Sequence, residues 1–137
     1  MTKRRSSLTG GWSGAYRYPA IARAETVFNA QIEEVNGAFV GSTQEPNDFM
    51  PDAGAVLTAD IEGVRDGGAV TFTKFYHHQG IRHAIRYEGA ADEALMRIEG
   101  KWIVPPGWSG TFFMVRDDDG EAVEAEESAD VGIEVRR

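Results

Sequence analysis

Seven side chains able to do polar chemistry fall at positions where period-two counting sets them among apolar neighbours: Tyr16, Tyr18, Glu45, Lys74, Tyr76, His83 and Tyr87. The run Val70, Phe72, Lys74, Tyr76 places a cation in line with apolar and aromatic residues, and the next run brings Ile85 and Tyr87 beside it. One ammonium and several phenols at the end of an apolar lining suit a small, partly apolar ligand bearing an anionic or hydroxylated group. A buried lysine can also lose its proton and act as a base or nucleophile, the one concrete enzymatic reading of this sequence. The structural alternatives are that Lys74 snorkels to a rim or pairs with Glu45, and that the tyrosines are core aromatics with satisfied hydroxyls.

Other chemistries find less support. His77, His78 and His83 suggest a metal, but adjacent strand residues point to opposite faces, and no cysteine or convergent carboxylate completes a zinc set. The sequence has no Gly-x-Ser-x-Gly elbow, phosphate loop or dinucleotide fingerprint, and no cofactor is indicated. Asp117-Asp118-Asp119-Gly120 lacks the alternating ligands and terminal glutamate of a calcium loop.

The elements that must position these residues are short strands recurring at the spacing of an all-β domain. Eight segments fit: about 10–18, 25–35, 38–45, 55–63, 69–77, 82–89, 95–103 and 108–116. Asn36-Gly37 between two alternating runs predicts a tight hairpin, since both central positions of a type I′ turn need positive φ. Arg65-Asp66-Gly67-Gly68 predicts another turn, and Pro105-Pro106-Gly107 closes the seventh strand. Trp12, Phe28, Phe39, Leu57, Ile85, Ile98 and Phe112 form the expected inward face, with Trp12 and Trp102 in the core. Alternation alone leaves a sandwich open. Closure removes edge strands, so an eight-stranded antiparallel up-and-down barrel is favoured, with Gly11-Trp12-Ser13-Gly14 and Gly107-Trp108-Ser109-Gly110 echoing one another across the seam.

The net charge of −8 is unevenly spread. Residues 117–130 hold eight acids and no base, whereas residues 1–116 carry 12 bases and 13 acids. The chain therefore divides into a basic arm (1–8), a nearly neutral barrel (9–116) and an acidic tail (117–137), which reads as a solvated segment or a docking element. Such a body lacks the concentrated basic face that nucleic acid demands. No apolar run is long enough for a membrane helix, and no export signal is visible. The absence of cysteine tilts the expectation to a cytoplasmic location.

Thr9-Gly10-Gly11-Trp12, Asn36-Gly37-Ala38-Phe39-Val40-Gly41-Ser42 and Arg97-Ile98-Glu99-Gly100-Lys101-Trp102 resemble first-strand, hairpin and floor-tryptophan motifs of the calycin superfamily, the avidin and lipocalin relatives. Val70, Phe72, Lys74, Tyr76 with Tyr87 and Gly89 resemble strands of bacterial and F-box-associated barrels. The likeness implies a calycin-like barrel. The polar ring and short serine-bearing lid of the avidins are not reproduced, so biotin is not the implied ligand. The expectation is a non-enzymatic barrel holding a small molecule at its open end. The alternative is a filled structural or interaction barrel that associates, with itself or a partner, through an outer face such as that bearing Phe75 and Phe113. A cavity of several hundred Å³ would favour the first and a packed interior the second.

Overall fold

The computed structural model describes residues 6–19, 25–47, 54–78, 80–81 and 84–117. Eight strands, β1 (Gly10–Arg17), β2 (Thr26–Val35), β3 (Ala38–Pro46), β4 (Val56–Asp66), β5 (Ala69–Tyr76), β6 (Ile85–Ala91), β7 (Arg97–Val104) and β8 (Trp108–Arg116), follow one another in chain order. Each pairs antiparallel with the next, and β1 pairs with β8, closing the barrel. The seam runs from Trp12 opposite Arg116 to Arg17 opposite Thr111, with Tyr16 opposite Phe112. Closure leaves no edge, which explains why alternation persists on every strand.

The Asn36-Gly37 hairpin has positive φ at both positions, 51° and 88°. Strands β4, β6 and β7 differ from the sequence reading by two residues or more. Strand β4 continues to Asp66, because Gly67-Gly68 alone make the turn and Arg65 and Asp66 still pair with Val70 and Ala69. Strand β7 begins at Arg97, not 95. The Asp92 carboxylate accepts hydrogen bonds from the Met96 and Arg97 N–H groups, and Leu95 takes φ 57°, a left-handed turn that leucine's identity does not signal. Strand β6 runs from Ile85 to Ala91, two residues further than read, since Ala90 and Ala91 still pair with Glu99 and Ile98.

The interior is filled by setting large side chains against glycines. Phe72 faces Gly63 across the β4–β5 pair, Met114 faces Gly14, and Trp102 faces Gly110. At each of these glycines an added Cβ would come within 2.8 Å of the facing residue. Gly89 and Gly100 face each other in the same way, and the ring of Phe112 occupies the space they leave. Small–large alternation of this kind is how a narrow barrel packs without voids. Phe72 and Tyr87 stack at 4.6 Å in the middle layer, with Phe39 and Phe112 edge-on to them.

One end, where β1 begins and β8 finishes, is sealed. Leu8 and Trp12 are fully buried, and the indole N–H donates to the Leu8 carbonyl at 2.9 Å. The Arg116 guanidinium lies 4.7 Å from the Trp12 ring and donates to the carbonyls of Ser7, Thr9 and Leu95. Arg65 holds the Ser6 carbonyl and pairs through two nitrogens with Glu34, whose Oε1 also accepts the Leu8 N–H. Segment 6–9 is thus strapped across that end, which we term the lower end.

Truncating either core tryptophan empties the barrel where the glycines leave nothing to collapse inward. W12A and W102A are each expected to lower the unfolding free energy by roughly 3–5 kcal/mol. Urea melts of the two variants check this, and midpoints equal to the parent's would count against it.

Candidate functional site

The upper half of the interior holds a buried polar cluster. Glu45 and Lys74 are each 2% exposed, and they meet at 2.6 Å between Oε1 and Nζ. Strands β3 and β5 supply them, separated by β4: Glu45 lies opposite Leu57, and Lys74 opposite Ile61. The Tyr16 hydroxyl donates to Glu45 Oε2 at 2.5 Å, and the Tyr76 hydroxyl lies 2.9 and 3.0 Å from the two carboxylate oxygens. Lys74 Nζ also sits 4.5 Å from the Tyr76 ring centroid and 5.1 Å from that of Tyr16. One carboxylate thus takes one ammonium and two phenols, and aromatic faces cover the cation.

Burial sets the protonation behaviour. Loss of water pulls the Lys74 ammonium below the ordinary lysine range, while Glu45 pushes back through its charge and hydrogen bond. The phenols of Tyr16, Tyr76 and Tyr87 are all driven above the ordinary range, by burial first and then by neighbouring negative charge. At neutral pH these phenols are donors, not phenolates.

Beside Lys74 lies a void of about 10 Å³, lined by residues that include Phe28, Thr43, Ile61, Phe72 and Tyr87. Buried Thr43 Oγ1 has no hydrogen-bond partner. The space matches a single water and is far smaller than the several hundred Å³ that a ligand asks for.

Of the seven residues read from sequence, four converge: Glu45, Lys74, Tyr16 and Tyr76. Tyr87 is buried one layer below, its ring 6.0 Å from Lys74 Nζ, stacked on Phe72. Tyr18 is half-buried at the upper rim, where its hydroxyl is 3.3 Å from Thr26 Oγ1 and its ring stacks on that of Trp108. His83 lies outside the described residues. His77 contacts Asp60 and Thr58, and His78 accepts from the Gly80 N–H. Among the described residues no three His, Asp or Glu side chains converge as metal ligands. Thr43 escaped notice as a site residue, although the alternation Phe39, Gly41, Thr43, Glu45 put it on the inward face.

A second concavity lies outside. A groove of about 550 Å³ over β7, β8 and β1 is bounded by Arg17, Arg97, Glu99, Thr111 and Phe113. The Phe113 ring lies between two guanidiniums, 5.5 Å from Arg17 and 5.0 Å from Arg97. Arg17 pairs with Glu25 and Arg97 with Glu99, both pairs well exposed to water. Lys101 lies on the same row as Arg17 and Thr111.

No family model matches the chain, and no curated protein matches it. Solved structures do. A redesigned β-barrel superposes with a TM-score of 0.66 at 10% identity, covering 81% of this chain and 92% of that one. A de novo designed fluorescence-activating β-barrel superposes with a TM-score of 0.56 at 12% identity, covering 80% and 93%. At such identities the likeness is one of fold: a closed, eight-stranded antiparallel barrel.

Two predictions follow from the cluster. K74M alone leaves the Glu45 carboxylate buried without its counter-charge and should cost about 3–5 kcal/mol, whereas E45Q/K74M keeps an acceptor for both phenols and should recover most of that loss. Urea melts of the two single variants and the double one measure the coupling. Raised phenol pKa values mean that the stability they contribute is complete below about pH 10 and is lost as pH rises beyond it, because the unfolded chain releases those protons first. Lys74 contributes the opposite slope between its lowered pKa and the ordinary lysine value, and nothing further above that. Alkaline titration at 295 nm should therefore show Tyr16, Tyr76 and Tyr87 ionising together with unfolding.

Proposed function

We propose that this chain is a non-enzymatic binding barrel with a filled interior, which recognises a carboxylate-rich partner through the outer face of β7, β8 and β1. The contrast between a void of about 10 Å³ inside and a groove of about 550 Å³ outside carries this reading. The interior cluster satisfies itself: Glu45 already binds Lys74, Tyr16 and Tyr76. Lys74 is fully covered, so it offers no accessible nucleophile to a substrate.

Outside, charge is divided between two faces. The outward positions of β6, β7, β8 and β1 carry Arg86, Arg97, Lys101 and Arg17 against Glu88 and Glu99. The outward positions of β2, β3 and β4 carry Glu33, Asp60, Glu62 and Asp66 with no arginine or lysine. Exposed ion pairs such as Arg17–Glu25 contribute about 0–1 kcal/mol, so an incoming carboxylate exchanges with them at little cost. Phe113 adds apolar area between two planar guanidiniums suited to bidentate carboxylate binding.

A second reading keeps a small ligand at the upper mouth. It is favoured by the cluster of Tyr16, Tyr18, Trp102 and Trp108 rings above Glu45, with Trp108 half exposed. Native mass spectrometry of chain purified from its source separates the two, since a retained small-molecule mass belongs only to the second. For the first, fluorescein-labelled decaglutamate should bind the full chain at low salt, and R17E/R97E should weaken that binding about tenfold or more, the scale of losing two charge-assisted contacts. Equal anisotropy curves for parent and variant would overturn it.

A further inference from the structure

We infer that the basic outer groove is occupied by the chain's own acidic segment, residues 118–130, which an external partner must displace. The inference rests on the reading of that groove as a carboxylate-binding face and adds its resident occupant.

Three observations support the assignment. The first is position. Asp117 continues the β8 ladder, its N–H donating to the Gly11 carbonyl and its carboxylate accepting from Ser13 Oγ at 2.5 Å. Ser13 pairs with Val115, and Val115 in turn with Arg97, so the chain leaves the barrel on the outer surface, one row from Arg97. Phe113 lies four residues back along β8, about 13 Å away at strand rise. The segment from Asp118 to Asp130, extended, reaches up to about 45 Å, more than enough to fold back over Phe113 to Thr111 and Arg17.

The second observation is charge. Asp118, Asp119, Glu121, Glu124, Glu126, Glu127 and Asp130 are seven acids in a stretch with no base. The outward positions of β2 to β4 repel such a segment, and those of β6 to β1 attract it. The third is shape. The groove carries Arg97 towards one end and Arg17 towards the other, each engaged only in an exposed ion pair that a carboxylate of an extended chain can replace, and Lys101 lies beside it on the row of Arg17. Tethering makes the contact intramolecular, so weak individual pairs suffice through effective concentration.

The chain contains no cysteine, so S128C gives a single attachment point for a nitroxide on the full-length protein. At an ionic strength of about 20 mM, where screening is weak, amide signals of Gly100, Lys101, Thr111 and Phe113 should broaden selectively, and the effect should fade at about 0.5 M salt. Replacing the seven acids by Asn and Gln in the unlabelled full chain should tighten decaglutamate binding at least about threefold, since the competitor is gone. Broadening spread evenly around the barrel, or confined to residues 6–9, would overturn the inference. So would broadening that appears only on mixing labelled and unlabelled molecules, which would place the segment on a second copy. If the neutralised chain binds decaglutamate no better than the parent while R17E/R97E still abolishes binding, the self-occupancy is wrong and the groove stands. If neither chain binds decaglutamate, the groove reading fails and the inference fails with it.

Discussion

Space inside an eight-stranded barrel is the constraint on which this structure depends. Closure removes the hydrogen-bonding edges, but it leaves an interior just wide enough for side chains. Several of the large residues are therefore matched by a glycine on a neighbouring strand. Phe72 with Gly63, Met114 with Gly14, Trp102 with Gly110, and Phe112 over Gly89 and Gly100 are four instances. The same matching leaves a void of about 10 Å³ beside Lys74.

Within that apolar packing, the Glu45–Lys74 pair is the exception. A buried ion pair is often no more stabilising than hydrophobic residues of equal volume, so stability alone does not account for its presence. What it supplies is geometric: Glu45 can satisfy Lys74, Tyr16 and Tyr76 only when β1, β3 and β5 stand at their observed relative heights. A slip of one residue would turn Lys74 outward and leave the carboxylate buried alone. The cluster thus acts as a register lock across strands that are not neighbours.

Much of this was legible in the sequence. Period-two alternation and the Asn36-Gly37 signal defined the strands, and the same alternation placed Glu45, Lys74, Tyr16 and Tyr76 indoors together. The pairing of Glu45 with Lys74 was one of two alternatives there, because alternation gives a face but not a height along the barrel. The Asp92 turn was not legible, since its key residue, Leu95, is held left-handed by hydrogen bonds made elsewhere in the loop. Nor was the outer groove, which brings together Arg17 and Arg97 from strands 80 residues apart in sequence. The inward void beside Thr43 depends on packing volumes that no pattern of residue types encodes.

The strap across the lower end has a mechanical consequence. Because β1 starts and β8 finishes at that same end, a force drawing the two chain ends apart acts across the seam and not along it. The hydrogen bonds between β1 and β8 then bear load one after another, as in opening a zip, and the seam by itself resists little. Arg116 stands at the head of that line, gripping the Ser7 and Thr9 carbonyls on one side and the Leu95 carbonyl on the other. Resistance to tension is therefore concentrated at this end, in the grip of Arg116 together with Arg65 on Ser6, Glu34 on Leu8 and Asp117 on Gly11, and the strands behind stay unloaded until these contacts are released.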